Sequence, residues 1–131
     1  MIAGTGSGCG KTTVTLAVLR AMQRKNIPLA AFKCGPDYID PMFHKAVLGI
    51  PSRNLDLFFI SEREVRGQIV RSIPQNGLGV IEGVMGFYDG VSGTTDTASA
   101  AHLARETGTP AILVVRPKGQ SLSLAAMLSG F

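Results

Sequence analysis

Three observations predict an α/β fold in which a parallel sheet carries helices on both faces. Short apolar runs of strand length alternate with longer segments whose apolar residues recur every three or four positions, the spacing of a helix with one buried face. Polar segments directly follow several of the apolar runs. The chain has 131 residues, 45% of them hydrophobic, which suits one domain with a core and leaves no room for two. Such sheets bind ligands beyond the carboxyl ends of their strands.

The elements are expected in the order β-α-β-α-α-β-α-β. The predicted strands span residues 1–3, 29–32, 78–82 and 111–115, and the last has the β-branched composition of a strand buried on both faces. The predicted helices span residues 11–25, 42–48, 61 to about 73, where a capping box opens the helix, and 97–106. Another apolar helix is expected to begin at Ser121. We therefore expect a partial domain, a piece of something longer.

The first polar segment, residues 4–13, reads GTGSGCGKTT. Its glycines allow successive backbone N–H groups to point at phosphate oxygens, and a helix that begins at Lys11 adds its positive end. Lys11 would reach the β- and γ-phosphates and Thr12 would bind Mg²⁺, so the segment predicts a P-loop that binds ATP. The strict motif has glycine at position 5, whereas this chain has Thr5 and places the glycine at Gly4.

The second polar segment, residues 33–41, reads KCGPDYIDP and combines a cation, two carboxylates and a phenol. Carboxylates at the end of a strand can hold Mg²⁺, directly or through water, or can orient a substrate. Asp40 precedes Pro41 and a helix, so it is either such a ligand or a helix N-cap. Asp37 follows Pro36 and is either a ligand or a turn residue.

The third polar segment, residues 82–90, reads EGVMGFYDG. Glu82 ends an apolar strand beside the P-loop, where the Walker-B acid that holds Mg²⁺ or its water would stand. Asp89 lies further along the loop and is either a site residue or a turn residue beside Gly90.

The histidines and cysteines indicate no further chemistry. His44 and His102 fall in predicted helices without a partnered carboxylate at ligand spacing, so both are expected to be structural or surface residues. Cys9 is expected to face inward as a small side chain in the P-loop. Cys9 and Cys34 form no CxxC pair, which argues against a zinc site or a disulfide framework.

Charge and hydropathy restrict the function classes. A net charge of +4 suits an anionic ligand, but the chain has no Lys/Arg block of the kind that binds nucleic acid. It also has no apolar stretch of about 18 residues, so neither a membrane span nor a signal peptide is expected. The expected location is the cytoplasm.

Four motifs together resemble the corrin amidotransferases, and most closely the N-terminal synthetase domain of cobyrinic acid a,c-diamide synthases. The motifs are GTGSGCGKTT, FKCGPDYIDPMFH, NLDLFF and VIEGVMGFYDG, and the resemblance covers nearly the whole chain. It implies amidation of the a and c acetate side chains of cobyrinic or hydrogenobyrinic acid in cobalamin biosynthesis. ATP would activate each carboxylate as an acyl phosphate, which ammonia from glutamine would displace.

The resemblance also implies a division of the chain and its partners. Residues 1–131 would be the N-terminal part of a dethiobiotin synthetase-like domain, and the glutaminase domain that supplies ammonia would lie beyond them. The corrin would be the substrate, with no nucleic acid or membrane involved. A homodimer remains open.

Roles for individual residues follow from the same resemblance. The expected ATP ligands are Gly8, Gly10, Lys11, Thr12 and Thr13. The expected Mg²⁺ ligands are Thr12, Glu82 and Asp37. The residues expected to face the corrin carboxylate and ammonia are Lys33, Tyr38, Asp40 and Asp89, and those expected in catalysis are Lys11, Asp40 and Asp89.

Two other functions share the P-loop. A dethiobiotin synthetase-like enzyme also activates carboxylates with ATP, but it would not need the CGPDYIDP segment. A partitioning ATPase that works as a nucleotide-switched dimer would carry a second lysine at position 6, where this chain has Gly6.

Overall fold

The computed structural model describes residues 1–37 and 39–131 and contains, within those ranges, one sheet of five strands. The strands are β1 (Ile2–Gly4), β2 (Leu29–Cys34), β3 (Ser52–Leu55), β4 (Leu78–Glu82) and β5 (Ile112–Val114). All pairs are parallel, and the order across the sheet is β3-β2-β4-β1-β5. The crossovers that parallel pairing requires are supplied by helices.

Five helices are described, and each corresponds to a predicted segment. They are α1 (Lys11–Arg24), α2 (Ile39–Leu48), α3 (Glu62–Ser72), α4 (Ala100–Thr107) and α5 (Ser123–Ser129). The predicted capping box opens α3: the Ser61 side chain accepts the Glu64 N–H, and the Glu64 side chain accepts the Ser61 N–H. Helix α4 begins three residues later than predicted because Ser99 caps it, accepting the N–H of His102 at 3.1 Å.

The helices cover both faces of the sheet, as predicted. Phe32 of β2 faces one core, where it clusters with Val65 of α3 and Leu103 of α4. The preceding residue, Ala31, faces the opposite core and clusters with Leu19 of α1. Since successive side chains of a strand point to opposite faces, a strand that is apolar at every position requires this double cover.

Two of the strand predictions need correction. Strand β3 was not expected, because its sequence SRNL is mostly polar; it pairs with β2 at one edge of the sheet, where only one side needs a partner strand. Strand β5 was expected to be buried on both faces, but it forms the other edge and Ile112 is 63% exposed.

The sheet register brings the polar segments together. Lys33 of β2 and Glu82 of β4 are direct neighbours, and Ile2 of β1 is paired with Glu82 on its other side. Their side chains share a face with Ala31, the face covered by α1 and α2. The three polar segments therefore meet at the carboxyl ends of the strands, next to the first turns of α1 and α2.

No helix in the described part of the chain is both long and apolar enough to cross a membrane.

The packing of α1 on the sheet predicts the effect of truncating Leu19, which is fully buried. Leu19→Ala in the native-length protein is expected to lower the free energy of unfolding by about 2–5 kcal/mol, measured by urea denaturation. The matched control is Leu122→Ala, since Leu122 is 83% exposed and its truncation should change stability by less than about 0.5 kcal/mol. Equal stability of the two variants would contradict the described core.

Candidate active site

A cavity of about 440 Å³ lies where the three polar segments meet. It is lined by backbone and side chains of all three, so residues far apart in sequence share one site. The predicted site residues that line it are Gly8, Gly10, Lys11, Thr12, Thr13, Lys33, Asp37, Asp40 and Glu82. Asp89 is not among them, and Tyr38 lies outside the described residues.

The P-loop curls around the Lys11 ammonium. Gly10 has φ 103°, a left-handed conformation that favours glycine, and it precedes the first residue of α1. The Lys11 Nζ donates hydrogen bonds to the carbonyl oxygens of Gly6 at 2.9 Å and Met85 at 2.6 Å. Lys11 therefore connects the first polar segment with the third and lies in the wall of the cavity.

Packing explains why the first glycine of the motif stands at position 4 in this chain. A Cβ atom at Gly4 would lie 2.4 Å from the Cys9 Sγ and 3.0 Å from the Lys11 Cδ. Glycine at position 4 thus leaves room for the inward-facing thiol and for the stem of the lysine. Cys9 lies as expected, packed inside the loop.

Glu82 has hydrogen-bond partners at both of its carboxylate oxygens. It is fully buried, and its Oε1 accepts hydrogen bonds from Thr12 Oγ1 at 2.6 Å and Lys33 Nζ at 3.1 Å. Its Oε2 lies 3.0 Å from the Nε2 of His44. Burial alone would raise the pKa of Glu82, but hydrogen bonds from His44 and Thr12 and the charge of Lys33 lower it to about 2. Glu82 is therefore a carboxylate at neutral pH.

Lys33 lines the cavity and pairs with its carboxylates. It is 3% exposed, and its ammonium contacts Asp40, Glu82 and the Gly83 carbonyl oxygen. Burial lowers the pKa of Lys33, but the hydrogen bond that Lys33 donates to Asp40 and the charge of Glu82 outweigh this effect and raise the pKa overall. The three ammonium hydrogens have acceptors within the protein, and the substrate contact expected for Lys33 stays a prediction.

The two aspartates of the second segment have different positions relative to α2. Asp37 Oδ1 accepts the N–H groups of Ile39 at 2.9 Å and Asp40 at 3.3 Å, so Asp37 satisfies the free N–H groups at the start of α2. Asp40 lies inside the helix and is not its N-cap. Its carboxylate is bonded to Lys33, and burial is the main cause of its raised pKa.

Asp89 lies in a second, mostly apolar cavity of about 460 Å³ beside the first. Val84 and Met85 line both cavities, so they form a shared wall. Asp89 Oδ2 accepts the Gly86 N–H at 2.7 Å, which also gives Asp89 the turn role considered for it. The aromatic side chains of this cavity are Phe58 and Phe59, 64% and 73% exposed.

His44 contradicts the expectation that it has no carboxylate partner. It is fully buried, with Nε2 at Glu82 and Nδ1 3.0 Å from Ser52 Oγ. No pattern near His44 in the sequence points to Glu82, because the two residues are 38 positions apart. His102 is structural as expected, since its Nδ1 accepts the Ala98 N–H at 3.0 Å.

The donor set of the first cavity fits a magnesium ion with a nucleotide. Two lysines, Lys11 and Lys33, face the three carboxylates Asp37, Asp40 and Glu82, which is one negative charge in excess for the ionised groups that line the cavity. A phosphate chain at the P-loop would add further negative charge, so an additional cation is required. Hard oxygen ligands of this type suit Mg²⁺.

The comparisons with known proteins agree with the geometry. A family model described as the CobQ/CobB/MinD/ParA nucleotide binding domain matches residues 1–49. The whole chain is 46% identical to a cobyrinate a,c-diamide synthase from Salmonella typhimurium, of which it covers 28%. It is 48% identical to proteins of the same name from Thermoplasma volcanium and Gloeobacter violaceus, of which it covers 29% each.

The chain is similar to cobyrinate a,c-diamide synthases from end to end. This confirms the resemblance that the four motifs predicted. The chain spans less than a third of the length of these synthases.

The close approach at Gly4 predicts a selective steric effect. Gly4→Ala should overpack the loop against Cys9 and Lys11 and lower the free energy of unfolding of the native-length protein by about 1–3 kcal/mol. Adding Cys9→Ala should recover part of this loss, because it removes the nearest atom, and the difference is measured as a double-mutant cycle. Gly6→Ala is the control, since a Cβ there meets nothing within 4 Å. A Gly4→Ala variant as stable as Gly6→Ala would contradict the described loop.

Proposed function

We propose that this chain supplies the nucleotide-binding part of an ATP- and Mg²⁺-dependent enzyme that amidates the a and c carboxylates of cobyrinic or hydrogenobyrinic acid, with glutamine as the source of ammonia. The observation that carries the proposal is the pair of adjacent cavities, one polar and one apolar, that share Val84 and Met85. Carboxylate activation needs a phosphate chain and an organic acid side by side. The similarity to cobyrinate a,c-diamide synthases supports a corrin as that acid.

The polar cavity would hold the nucleotide. The P-loop backbone around Gly8 and Gly10 would bind the phosphates, with Lys11 at the β- and γ-phosphates. Thr12, Glu82 and Asp37 would hold Mg²⁺, which when bound neutralises the charge that otherwise repels the substrate carboxylate. Because the Thr12 hydroxyl donates its hydrogen to Glu82, its lone pairs remain available to a cation.

The apolar cavity would take part of the corrin ring. Its exposed aromatic side chains, Phe58 and Phe59, offer flat apolar contact to a macrocycle, and Asp89 lies on its wall. An acetate side chain that reaches past Met85 would approach the γ-phosphate of a nucleotide in the first cavity.

The reaction then divides into two transfers. The substrate carboxylate oxygen attacks the γ-phosphorus, the bond to the ADP oxygen breaks, and an acyl phosphate forms. Ammonia attacks the acyl carbon, phosphate leaves and the nitrogen loses a proton. Asp40, with a raised pKa at the edge of the cavity, is the group proposed to accept that proton.

The remaining length of the relatives leaves room for a glutaminase domain, which we propose as the source of ammonia. A dethiobiotin synthetase-like enzyme would share the P-loop, but it would not need the CGPDYIDP segment. A partitioning switch is less well supported, because position 6 is Gly6, whose carbonyl oxygen accepts a hydrogen bond from Lys11.

The proposal predicts that nucleotide binding depends on Lys11. Lys11→Ala in the native-length protein is expected to raise the dissociation constant for MgATP at least about ten-fold, because hydrogen bonds to charged groups contribute about 1.5–3 kcal/mol. Isothermal calorimetry measures this, with Lys25→Ala, an exposed lysine at the end of α1, as the matched control. Similar dissociation constants for both variants would refute a P-loop role for Lys11.

The two cavities predict different kinetic defects for their aspartates. Asp40→Asn is expected to lower kcat for amidation by about 100-fold, in the range of a lost general base. Asp89→Asn is expected to raise KM for the corrin, with MgATP affinity unchanged in both variants. Steady-state amidation by the native-length protein and calorimetry separate these effects. If Asp40→Asn retained full kcat, Asp40 would have no role as the base.

A further inference from the structure

We propose that His44 is a positioning residue for the magnesium nucleotide site: it holds the Glu82 carboxylate in the orientation that directs the Thr12 hydroxyl into the polar cavity. His44 does not line that cavity, so it acts through Glu82 and does not touch a ligand there. The inference rests on the proposed function, because it assigns the carboxylate to a magnesium site.

The first support is that both ring nitrogens of His44 have hydrogen-bond partners. Its side chain is fully buried in α2, yet its Nε2 reaches Glu82 at the end of β4 and its Nδ1 reaches Ser52 at the start of β3. An ionised carboxylate only accepts hydrogen bonds, so the Nε2 carries the hydrogen, and in the neutral ring the Nδ1 accepts from the Ser52 hydroxyl. The two contacts fix the position of the ring and the direction of its N–H group.

The second support is that different residues donate hydrogen bonds to the two carboxylate oxygens of Glu82. Thr12 and Lys33 both contact Oε1, and His44 is the donor at Oε2 among the described residues. A carboxylate held at one oxygen can turn about its last bond, whereas one held at both cannot. Without His44, the buried Oε2 would lack a hydrogen-bond donor among the described residues, so the carboxylate would be free to turn about its last bond.

Such a turn would carry the Thr12 hydroxyl with it. The Thr12 Oγ1 lies 2.6 Å from Oε1, which is a short and directional contact. Thr12 is also the second residue of α1, beside the phosphate-binding backbone. His44 is thereby connected to the cation site through two hydrogen bonds, although no ligand touches it.

A purely structural histidine makes a different prediction. If His44 only filled the core under α2, its replacement would lower stability and leave the contribution of magnesium to ATP affinity unchanged. The positioning role predicts that this contribution falls, while ATP without metal, held by the P-loop backbone and Lys11, binds as before.

The test uses the native-length protein and measures ATP binding by calorimetry with Mg²⁺ and with EDTA, together with the melting temperature. His44→Leu, which has no donor, is expected to reduce the gain in affinity that Mg²⁺ provides by about ten-fold, with less than a two-fold change in EDTA. His44→Gln should restore most of the gain, because the amide Nε2 can donate to Glu82 from a similar distance. Ser52→Ala, which frees the other side of the ring, should lose part of the gain.

Leu48→Ala is the matched control. Leu48 lies one turn beyond His44 on α2, and its apolar side chain packs in the core and can donate no hydrogen bond to Glu82. This variant should therefore melt at a lower temperature and keep the full magnesium gain. If His44→Leu behaves like Leu48→Ala, the positioning role is wrong. If His44→Leu does not fold, an unchanged magnesium gain in Ser52→Ala would overturn it as well. A wild-type protein that binds ATP without any gain from Mg²⁺ would refute the proposed function itself, and the role of His44 with it.

Discussion

The buried carboxylate of Glu82 is the interaction on which the site depends. Three donors from three elements converge on it: Thr12 from α1, Lys33 from β2 and His44 from α2. A buried charge is tolerated only when it is paired and fully hydrogen-bonded, so the ionised Glu82 needs all three contacts. The same contacts tie two helices and two strands to one point at the carboxyl edge of the sheet. The position of the phosphate loop relative to the second polar segment follows from this one group.

Strand register explains why the convergence occurs at Glu82. Lys33 and Glu82 are paired neighbours in a parallel sheet and point to the same face. That face is covered by α1 and α2, whose first turns follow directly from the polar segments. A shift of one residue in the register of β4 would turn Glu82 away from Lys33 and into the opposite core, which is lined by apolar residues such as Phe32 and Leu103.

Much of this arrangement could be predicted from local patterns. The apolar runs and helical periods identified four of the strands and the helices, and the motif around Lys11 identified the phosphate loop. The edge strand β3 was not predicted because the sequence SRNL has no apolar alternation and its pairing is decided by the neighbouring strand. The contact of His44 with Glu82 joins residues 38 positions apart, and no local pattern contains such a distance.

The roles of Asp37 and Asp40 illustrate a finer limit of sequence reasoning. A helix that begins at Ile39 makes Asp37 the residue that receives its first N–H groups, whereas a start at Pro41 would have made Asp40 the cap. Helix ends are uncertain by one or two residues from sequence, and that difference decides which of the two neighbouring carboxylates accepts the first N–H groups of the helix. Likewise, no pattern in the sequence around Lys33 predicts its ion pairs, because its partners Asp40 and Glu82 come from α2 and β4.

The outer strand β5 has a consequence for the behaviour of this chain in solution. It pairs only with β1 among the described residues, so one row of its backbone N–H and C=O groups has no neighbouring strand, and Ile112 is largely exposed beside that row. An uncovered strand of this kind is a template on which a second chain can add by main-chain hydrogen bonding. A preparation of residues 1–131 alone therefore carries a built-in route to edge-to-edge aggregation, and this route is independent of its nucleotide chemistry.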